Sequence, residues 1–354
     1  MLEQKYNVIG VMSGTSLDGI DLAHIAFTVI DGTWQYNILT CETIGYSQYW
    51  VDKLRNAVDY SQEELLQLNQ DYTVILGSII KTFIDKYQIK NLDAVCSHGH
   101  TILHQPQNGF TLQIGNLPII AKIINETVVC DFRVQDVQFG GQGAPLVPIG
   151  DRILFADYDY CLNLGGFSNV SFERAGKRIA FDISPVNTVL NFYANQLGFE
   201  YDDKGKIARF GKLHPDLLAE LNNLEYYKKS FPKSLGFEFV KEIVLPLINN
   251  FNISVEDKMH TFIEHIAMQM SLALPNQKGK MLITGGGAYN DFLIERIAHH
   301  LPTIKIIIPD AKTLEYKEAL IFGLLGVLKL RHEINVLSSV TGAKENHSSG
   351  NIFK

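Results

Sequence analysis

A pattern of strand, glycine-rich turn, strand, tight turn, strand occurs twice in this chain, and a duplication of that kind leaves few folds open. The first copy begins with the apolar run 6–11, short enough to be one buried strand. It passes through Gly10-Val11-Met12-Ser13-Gly14-Thr15-Ser16-Leu17-Asp18-Gly19-Ile20-Asp21 into a second strand pattern, 24–30. A turn at Asp31-Gly32 then leads to 34–42. Asp-Gly between two such runs is a hairpin signal, so three consecutive antiparallel strands are expected. The second copy runs through 161–164, Gly165-Gly166, 167–172, Ala175-Gly176-Lys177 and 178–183. A chain of 354 residues can hold two domains with separate cores, one for each copy.

The turn of the first copy carries the chemistry. Gly14 and Gly19 allow backbone angles that a Cβ forbids, so the amides of the turn, those of Leu17 and Ile20 included, can converge on a nucleotide's phosphates. Thr15 and Ser16 add hydroxyl donors. Asp18 and Asp21 are candidates to hold a magnesium ion through water, because that metal prefers oxygen ligands and keeps part of its hydration shell. A glycine-rich turn with no ligand is the alternative for such a stretch taken alone. The P-loop pattern, a Lys before Ser/Thr with a helix behind it, is absent, and the setting is a strand hairpin.

That setting resembles the actin, hexokinase and Hsp70 superfamily of ATP-dependent phosphotransferases. More narrowly, GVMSGTSLDGIDLA looks like the opening of the anhydro-N-acetylmuramic acid kinases, which return cell-wall sugar to metabolism. The resemblance continues in one order along nearly the whole chain. Ser97-His98-Gly99-His100 is similar to the family's SHG-Q-T, with His100 in place of the usual glutamine; Thr111 to Asn116, the loop 139–148 and the tail 339–343 are further blocks. Leu162-Asn163-Leu164-Gly165-Gly166-Phe167-Ser168-Asn169 would be the second phosphate loop. The family places its catalytic aspartate in a motif close to FD-T-G-P-G-N. Asp182, Pro185 and Asn187 match that motif, whereas Ile183, Ser184 and Val186 depart from it. Gly285-Gly286-Gly287-Ala288-Tyr289-Asn290 falls at the strand-to-helix junction that the superfamily uses for adenosine, and Glu318-Ala319 matches a family Glu-Ala pair. Many superfamily members carry an acidic residue where this chain has Met12, which leaves the metal to Asp18, Asp21 or solvent.

Other candidates follow from position. His98, His100 and His104 raise the question of a metal, but no further Cys or His closes a four-ligand zinc site, so a satisfied or substrate-facing imidazole is expected. Asp131 and Arg133 follow the short strand 128–130, at the kind of sheet end where open α/β sheets bind ligands. A structural ion pair is the alternative there. The substrate that the resemblance implies carries a lactyl carboxylate, which the Arg133 guanidinium can grip in bidentate fashion. For Asp182 alone a helix cap is the plain alternative. Ser61-Gln62-Glu63-Glu64 is a capping box expected to open a helix running to about Tyr87. The region 200–275 reads as mostly helical, with a polar loop at 202–212 and no evident chemistry beyond a lid. Residues 344–354 read as a peripheral end.

Composition excludes several classes. A net charge of -7 and a pI near 5.9 argue against a nucleic-acid surface. The N-terminus lacks a basic segment followed by an apolar core and no run approaches bilayer length, so a cytoplasmic protein is expected. Cys41, Cys96, Cys130 and Cys161 are far apart with no C-x-x-C pair, and free thiols are expected. The resemblance therefore implies an α/β protein with two actin-like, ribonuclease H-like domains around an ATP cleft. Domain I would be 1–127 plus 333–354 and domain II 128–332. With ATP and magnesium, it would open 1,6-anhydro-N-acetylmuramic acid with water and phosphorylate O6, with Asp182 catalytic and His98, Asp131, Arg133, Asn187 and Glu318 binding the sugar. A homodimer is the assembly the family suggests. A kinase for another amino or anhydro sugar, and a non-catalytic actin-like ATP-binding protein, are the two alternatives.

Overall fold

The computed structural model describes residues 3–14 and 16–354. The strands in chain order are β1 (Glu3–Ser13), β2 (Ile20–Ile30), β3 (Thr33–Ile44), β4 (Ala94–Gln105), β5 (Phe110–Ile114), β6 (Val128–Cys130), β7 (Tyr160–Leu164), β8 (Phe167–Arg174), β9 (Lys177–Pro185), β10 (Gly279–Thr284), β11 (Ile304–Ile307) and β12 (Asn351–Phe353). Two compact units divide the chain: 1–154 with 316–354, and 155–315. The division at 154 rather than at 127 follows from pairing, since β6 lies parallel to β4 and antiparallel to β12 in the sheet that holds the first hairpin. Residues 128–154 and 316–332 therefore stand with unit 1 instead of with the second domain.

The two sheets repeat one topology. In unit 1 the strand order is β12-β6-β4-β1-β2-β3, with β5 against β4; in unit 2 it is β11-β10-β7-β8-β9. Each begins with three antiparallel strands and continues on the other side of its first strand with two parallel ones. Both hairpins close as expected. Asp31 and Gly32 have φ of 49° and 83°, and Ala175 and Gly176 have 50° and 74°, which fits the primed turn that suits strand twist.

Helices cover the sheets. In unit 1 the helix Gln62–Lys86 starts at the capping box, where the Glu64 amide donates to Ser61 Oγ and the Ser61 amide to Glu64 Oε2. It packs Leu68, Tyr72, Leu76 and Phe83 with Ile9, Leu22 and Val95. The helix Ala311–Leu330, whose regular angles break at Tyr316, brings the Ala319 carbonyl onto Gly10, where any Cβ would lie 1.9 Å from that oxygen. Glycine at 10 is what lets this helix reach β1 and carry Glu318 to the end of the first hairpin. In unit 2, Leu162, Val170 and Phe181 form a core with the helices Asn187–Gln196, Val255–Ala273 and Asp291–His300.

Three expectations change. The polar loop 202–212 contains the helix Lys206–Phe210, because Asp202 accepts from the amides of Ile207 and Ala208 and so caps its first turn. The tail is not peripheral, since β12 adds a strand to the unit 1 sheet and Ser349 is fully buried. The apolar run 117–125, which on pattern alone predicts a helix from Leu117 to Asn125, forms only the shorter helix Ile119–Ile124.

Candidate functional site

Unit 1 places the first turn between Ser13 and Ile20, the last pair of the β1–β2 hairpin. Its strain falls on Leu17, at φ 62°, and on Gly19, at φ 156°, where a Cβ would meet the Ile44 carbonyl oxygen at 2.7 Å. Gly14 needs no such freedom; a Cβ there would find its nearest neighbour, Ser16 Oγ, at 3.5 Å. Thr15 lies outside the described residues. The Ser16 hydroxyl, expected to face an anion, donates instead to Asp18 Oδ1 at 2.8 Å. Thr43 Oγ1 donates to Asp21 Oδ1 at 2.6 Å, which turns that carboxylate toward the β2–β3 edge.

Asp18 and Asp21 share their surroundings with Glu318. Burial raises the Glu318 carboxyl above its ordinary range, Arg133 and Lys317 pull it down, and the two aspartates push it up. That desolvation comes from protein packed around the carboxyl at range, since the residue itself keeps solvent access. Asp18, Asp21 and Glu318 are thus within electrostatic reach of one another. Among the described residues no group of three or more His, Cys, Asp and Glu is already arranged as direct metal ligands.

Arg133 is held from two sides. Its Nε–H donates to His98 Nε2 at 2.8 Å and its Nη1–H to the Gly143 carbonyl at 2.7 Å. An Arg donor requires a lone pair on His98 Nε2, so the ring proton sits on Nδ1, which lies 2.9 Å from the Gly99 carbonyl. Burial and the adjacent guanidinium hold the His98 pKa well below its ordinary value, so this imidazole is neutral. Burial lowers Arg133 to about 10, which still leaves it cationic at neutral pH. With Nε–H and one Nη1–H committed, what remains of the guanidinium for a ligand is Nη2 and the second Nη1–H.

Asp131 is separate from this group. At φ 62° it accepts from Asn351 Nδ2 at 2.9 Å, facing β12. Asp136, which the sequence did not single out, organises the glycine loop 139–143: its Oδ2 accepts from the Gly143 amide at 2.7 Å and its Oδ1 from Thr341 Oγ1 at 2.8 Å. The tail block 339–343 thus docks on the loop block, and the Gln142 amide donates to the Thr341 carbonyl.

His100 belongs to a buried network. Its Nδ1 is 2.7 Å from Ser13 Oγ, which is 2.6 Å from Tyr46 OH, itself hydrogen-bonded to Tyr72 OH at 2.5 Å. Tyr46 and Tyr72 gave no sequence signal, and Ser13 stood out only as part of the first turn's stretch. Burial drives the His100 pKa down to about 4. The unfolded chain binds a proton there below about 6.5 that the folded chain refuses until about 4, so stability falls as pH drops through that window. For His100 the expected loss between pH 7.5 and 5.0 is roughly 2 kcal/mol. Urea unfolding at the two pH values should show the wild type losing that much more than His100→Gln, and equal losses would place the acid sensitivity elsewhere.

In unit 2 the two remaining glycine junctions meet. The Gly166 carbonyl accepts from the amides of Val186 (2.8 Å) and Thr188 (3.3 Å) and from Thr188 Oγ1 (2.7 Å), which ties the β7–β8 turn to the start of the helix Asn187–Gln196. The Asn187 amide donates to the Gly165 carbonyl at 3.2 Å. Gly285, at φ 85°, and Gly287 both press on Leu164, where added Cβ atoms would come within 3 Å of it. Gly286 is different, for a Cβ there would lie 3.7 Å from Asn187 Nδ2 with nothing closer. Asn187 therefore stands beside both glycine turns. The Asn290 side chain is spent as a helix cap, accepting from the Leu293 amide at 2.9 Å.

Asp182 is not a helix cap. It lies inside β9 at a bulge, paired with Asn169, while the next helix begins at Asn187 with Val186 before it. Its Oδ2 accepts from the Leu235 amide at 2.9 Å, its amide donates to the Lys233 carbonyl at 3.2 Å, and Tyr226 OH donates to its carbonyl at 2.6 Å. Burial raises the carboxyl above its ordinary range and the Leu235 bond partly offsets this. The segment 226–235, read as helical and without chemistry, is thus what holds the carboxylate. Pro232 and Gly236 were the available signals that the helix breaks there. Ile183 and Val186 are buried in the core, and Ser184 bonds Ser168 Oγ at 3.0 Å, so the departures from the family motif are taken up by packing.

Two sheets of one topology, with glycine turns after the first strand of each and a third glycine junction after β10, define a duplicated actin-like α/β protein of the kind that sugar kinases use. A family model for anhydro-N-acetylmuramic acid kinase matches residues 6–354. The chain is 33% identical to the anhydro-N-acetylmuramic acid kinase of Pseudomonas fluorescens, covering 98% of each chain, and 31% identical to that of Bacillus cereus over 98% of each. It belongs to the anhydro-N-acetylmuramic acid kinase family. Among solved structures, a ROK family glucokinase from Streptomyces griseus, in complex with glucose and AMPPNP, is similar with a TM-score of 0.42 and 12% identity, covering 91% of this chain and 99% of that one.

Proposed function

We propose that this protein uses ATP and water to convert 1,6-anhydro-N-acetylmuramic acid into N-acetylmuramic acid 6-phosphate and ADP, in the recycling of cell-wall sugar. The observation that carries the reading is the Asp182 carboxylate, oriented through Oδ2 by a backbone amide and raised in basicity by burial. Water attacks C1 and loses a proton to Asp182, the C1–O6 bond breaks, and O6 takes the γ-phosphoryl group as the bond to ADP breaks. Arg133, held by His98 and Gly143, binds the lactyl carboxylate with the free end of its fork, and Glu318 and Asn187 contact substrate. Asp131, turned toward Asn351, helps to shape the sugar site through the position of the chain before Arg133.

The first turn, Gly14 to Asp21, and Gly165-Gly166 bind phosphates, while Gly285 to Gly287 receive adenosine, with Asn290 holding the helix start behind them. Asp18 and Asp21 would hold magnesium through water, and the ion would supply charge neutralisation at the phosphates. No helix among the described residues is long and apolar enough to cross a membrane, and a cytoplasmic location suits a sugar-recycling kinase. The burial of Ile183, Ser184 and Val186 favours the muramyl sugar over a re-shaped pocket.

The test is ADP release against a panel of anhydro and ordinary amino sugars, run in ¹⁸O-water. Release should depend on the anhydromuramyl sugar and the label should appear at C1 of the product. Release without sugar would favour the ATP-binding scaffold, preference for another sugar would change the substrate, and label in phosphate would mean simple ATP hydrolysis.

A further inference from the structure

Unit 2 holds a cavity of about 290 Å³ on which Phe181 and Ile183, the two neighbours of Asp182 in β9, both open. Its wall is cationic and aromatic, with Lys228, Lys229 and Lys233 beside Tyr227 and Phe231, and no carboxylate lies among its described lining residues. Lys228 is paired with Glu225 at the surface, whereas Lys233 lies over the Tyr226 ring at 4.6 Å and the Phe181 ring at 5.9 Å and donates to the Tyr226 carbonyl at 3.5 Å, with no carboxylate partner among the described residues. Phe181 and Phe231 stack with centroids 5.3 Å apart and planes within 9°.

Behind the lining residues Asn222, Tyr227 and Gln269 lies a buried polar cluster that is incompletely satisfied. Asn222 Oδ1, which accepts from Gln269 Nε2 at 2.8 Å, lies 2.7 Å from His265 Nδ1. That assigns the ring proton to Nδ1 and leaves Nε2 as an acceptor. His265 Nε2 is buried with no hydrogen-bond partner, and so is the Tyr227 hydroxyl, whose ring stands edge-on to His265 at 4.7 Å. A buried hydroxyl without a partner costs about 1–3 kcal/mol. Neither atom has accessible surface, so the groups that can meet a ligand in the cavity are the lysines of its wall.

The same segment that walls the cavity holds Asp182. Tyr226 OH, the Lys233 carbonyl and the Leu235 amide bond Asp182, while the side chains of Tyr227, Lys229, Phe231 and Lys233 face the cavity. We propose that the cavity binds a small organic anion, a carboxylate or phosphate monoester on a flat apolar body, and that its occupancy sets turnover by moving residues 226–235 and with them Asp182. The anion would accept from the lysines while its body lies along the edges of the Phe181–Phe231 pair. The effect on turnover rests on Asp182 being the base; binding does not.

Calorimetry with phenyl phosphate and with benzoate, using benzyl alcohol as the neutral control, tests it on the intact protein. At least one anion should bind where the alcohol does not, and Lys229→Gln or Lys233→Gln should weaken it about tenfold, the worth of one charged hydrogen bond. Which anion binds tells carboxylate from phosphate chemistry. The bound anion should also change kcat in the wild type and not in Lys229→Gln. Absence of binding by both anions, or equal affinity in the wild type and the two variants, overturns the site. Binding that leaves the wild-type kcat unchanged overturns the control of turnover, even if Asp182→Asn shows that Asp182 is the base.

Discussion

Asp182→Asn is expected to bind ATP and sugar as the wild type does and to turn over about 10² to 10⁴ times more slowly, the usual worth of a general base. The substitution keeps the size of the side chain, and its Oδ1 can still accept from the Leu235 amide, so β9 and the segment 226–235 should stay in register. What would be lost, on the proposed mechanism, is the group that takes the proton of a water attacking C1. An acetal carbon attacked by neutral water needs that proton removed as the bond forms. The wild-type rate should fall as pH drops through a value above 3.8, because burial has raised the Asp182 carboxyl and only its ionised form is a base. That acid limb should be missing from the residual activity of the Asn variant. Rates from pH 4 upward, together with calorimetry for both ligands, decide the matter. An Asn variant with most of its rate would leave Asp182 as an anchor for residues 226–235.

Gly286→Val should lose nucleotide affinity while keeping its fold. The distances separate this position from its neighbours: a Cβ at Gly285 or Gly287 strikes Leu164, whereas at Gly286 nothing comes closer than 3.7 Å. Added methyl groups at 286 therefore project into space that the protein does not fill, which is where adenosine would lie. A side chain in the path of a bound ring costs about 1–3 kcal/mol, or roughly tenfold to over a hundredfold in affinity. Gly14→Val should behave in the same way for the phosphates, since its nearest neighbour is 3.5 Å away. Melting curves that match the wild type, with ATP affinity lowered by that factor in calorimetry, are the expected result. Gly285→Val serves as the contrast and should melt lower, because its clash is with Leu164. ATP affinity unchanged in Gly286→Val or Gly14→Val would remove that turn from the nucleotide site.

The duplicated fold was legible because its signals are local. Asp31-Gly32 and Ala175-Gly176 are turn chemistry, Ser61 to Glu64 is a cap, and each acts on residues adjacent in the chain. Contacts made at long range were not legible. Nothing in 128–130 says that its edge partner is 351–353, and this is why the domain boundary moved and the tail was read as peripheral. The site divides in the same way. Asp182 could be found by motif, but its supports at Tyr226, Lys233 and Leu235 are more than 40 residues away and carry no motif of their own. Ser13, His100, Tyr46 and Tyr72 form one buried network from four separate elements. Hydrogen-bonding side chains in apolar runs look alike in sequence whether they meet or not.

The split of unit 1 into 1–154 and 316–354 also bears on the order in which a ribosome can deliver a working protein. Residues 1–154 emerge first, yet β6 lacks its β12 neighbour, and Gly10 the carbonyl that packs on it, until the last segment is made. All of unit 2 is synthesised in between, a wait on the order of ten seconds. The half that starts first finishes last, and during that wait its open sheet edge and bare β1 face are the surfaces a nascent-chain chaperone would have to cover.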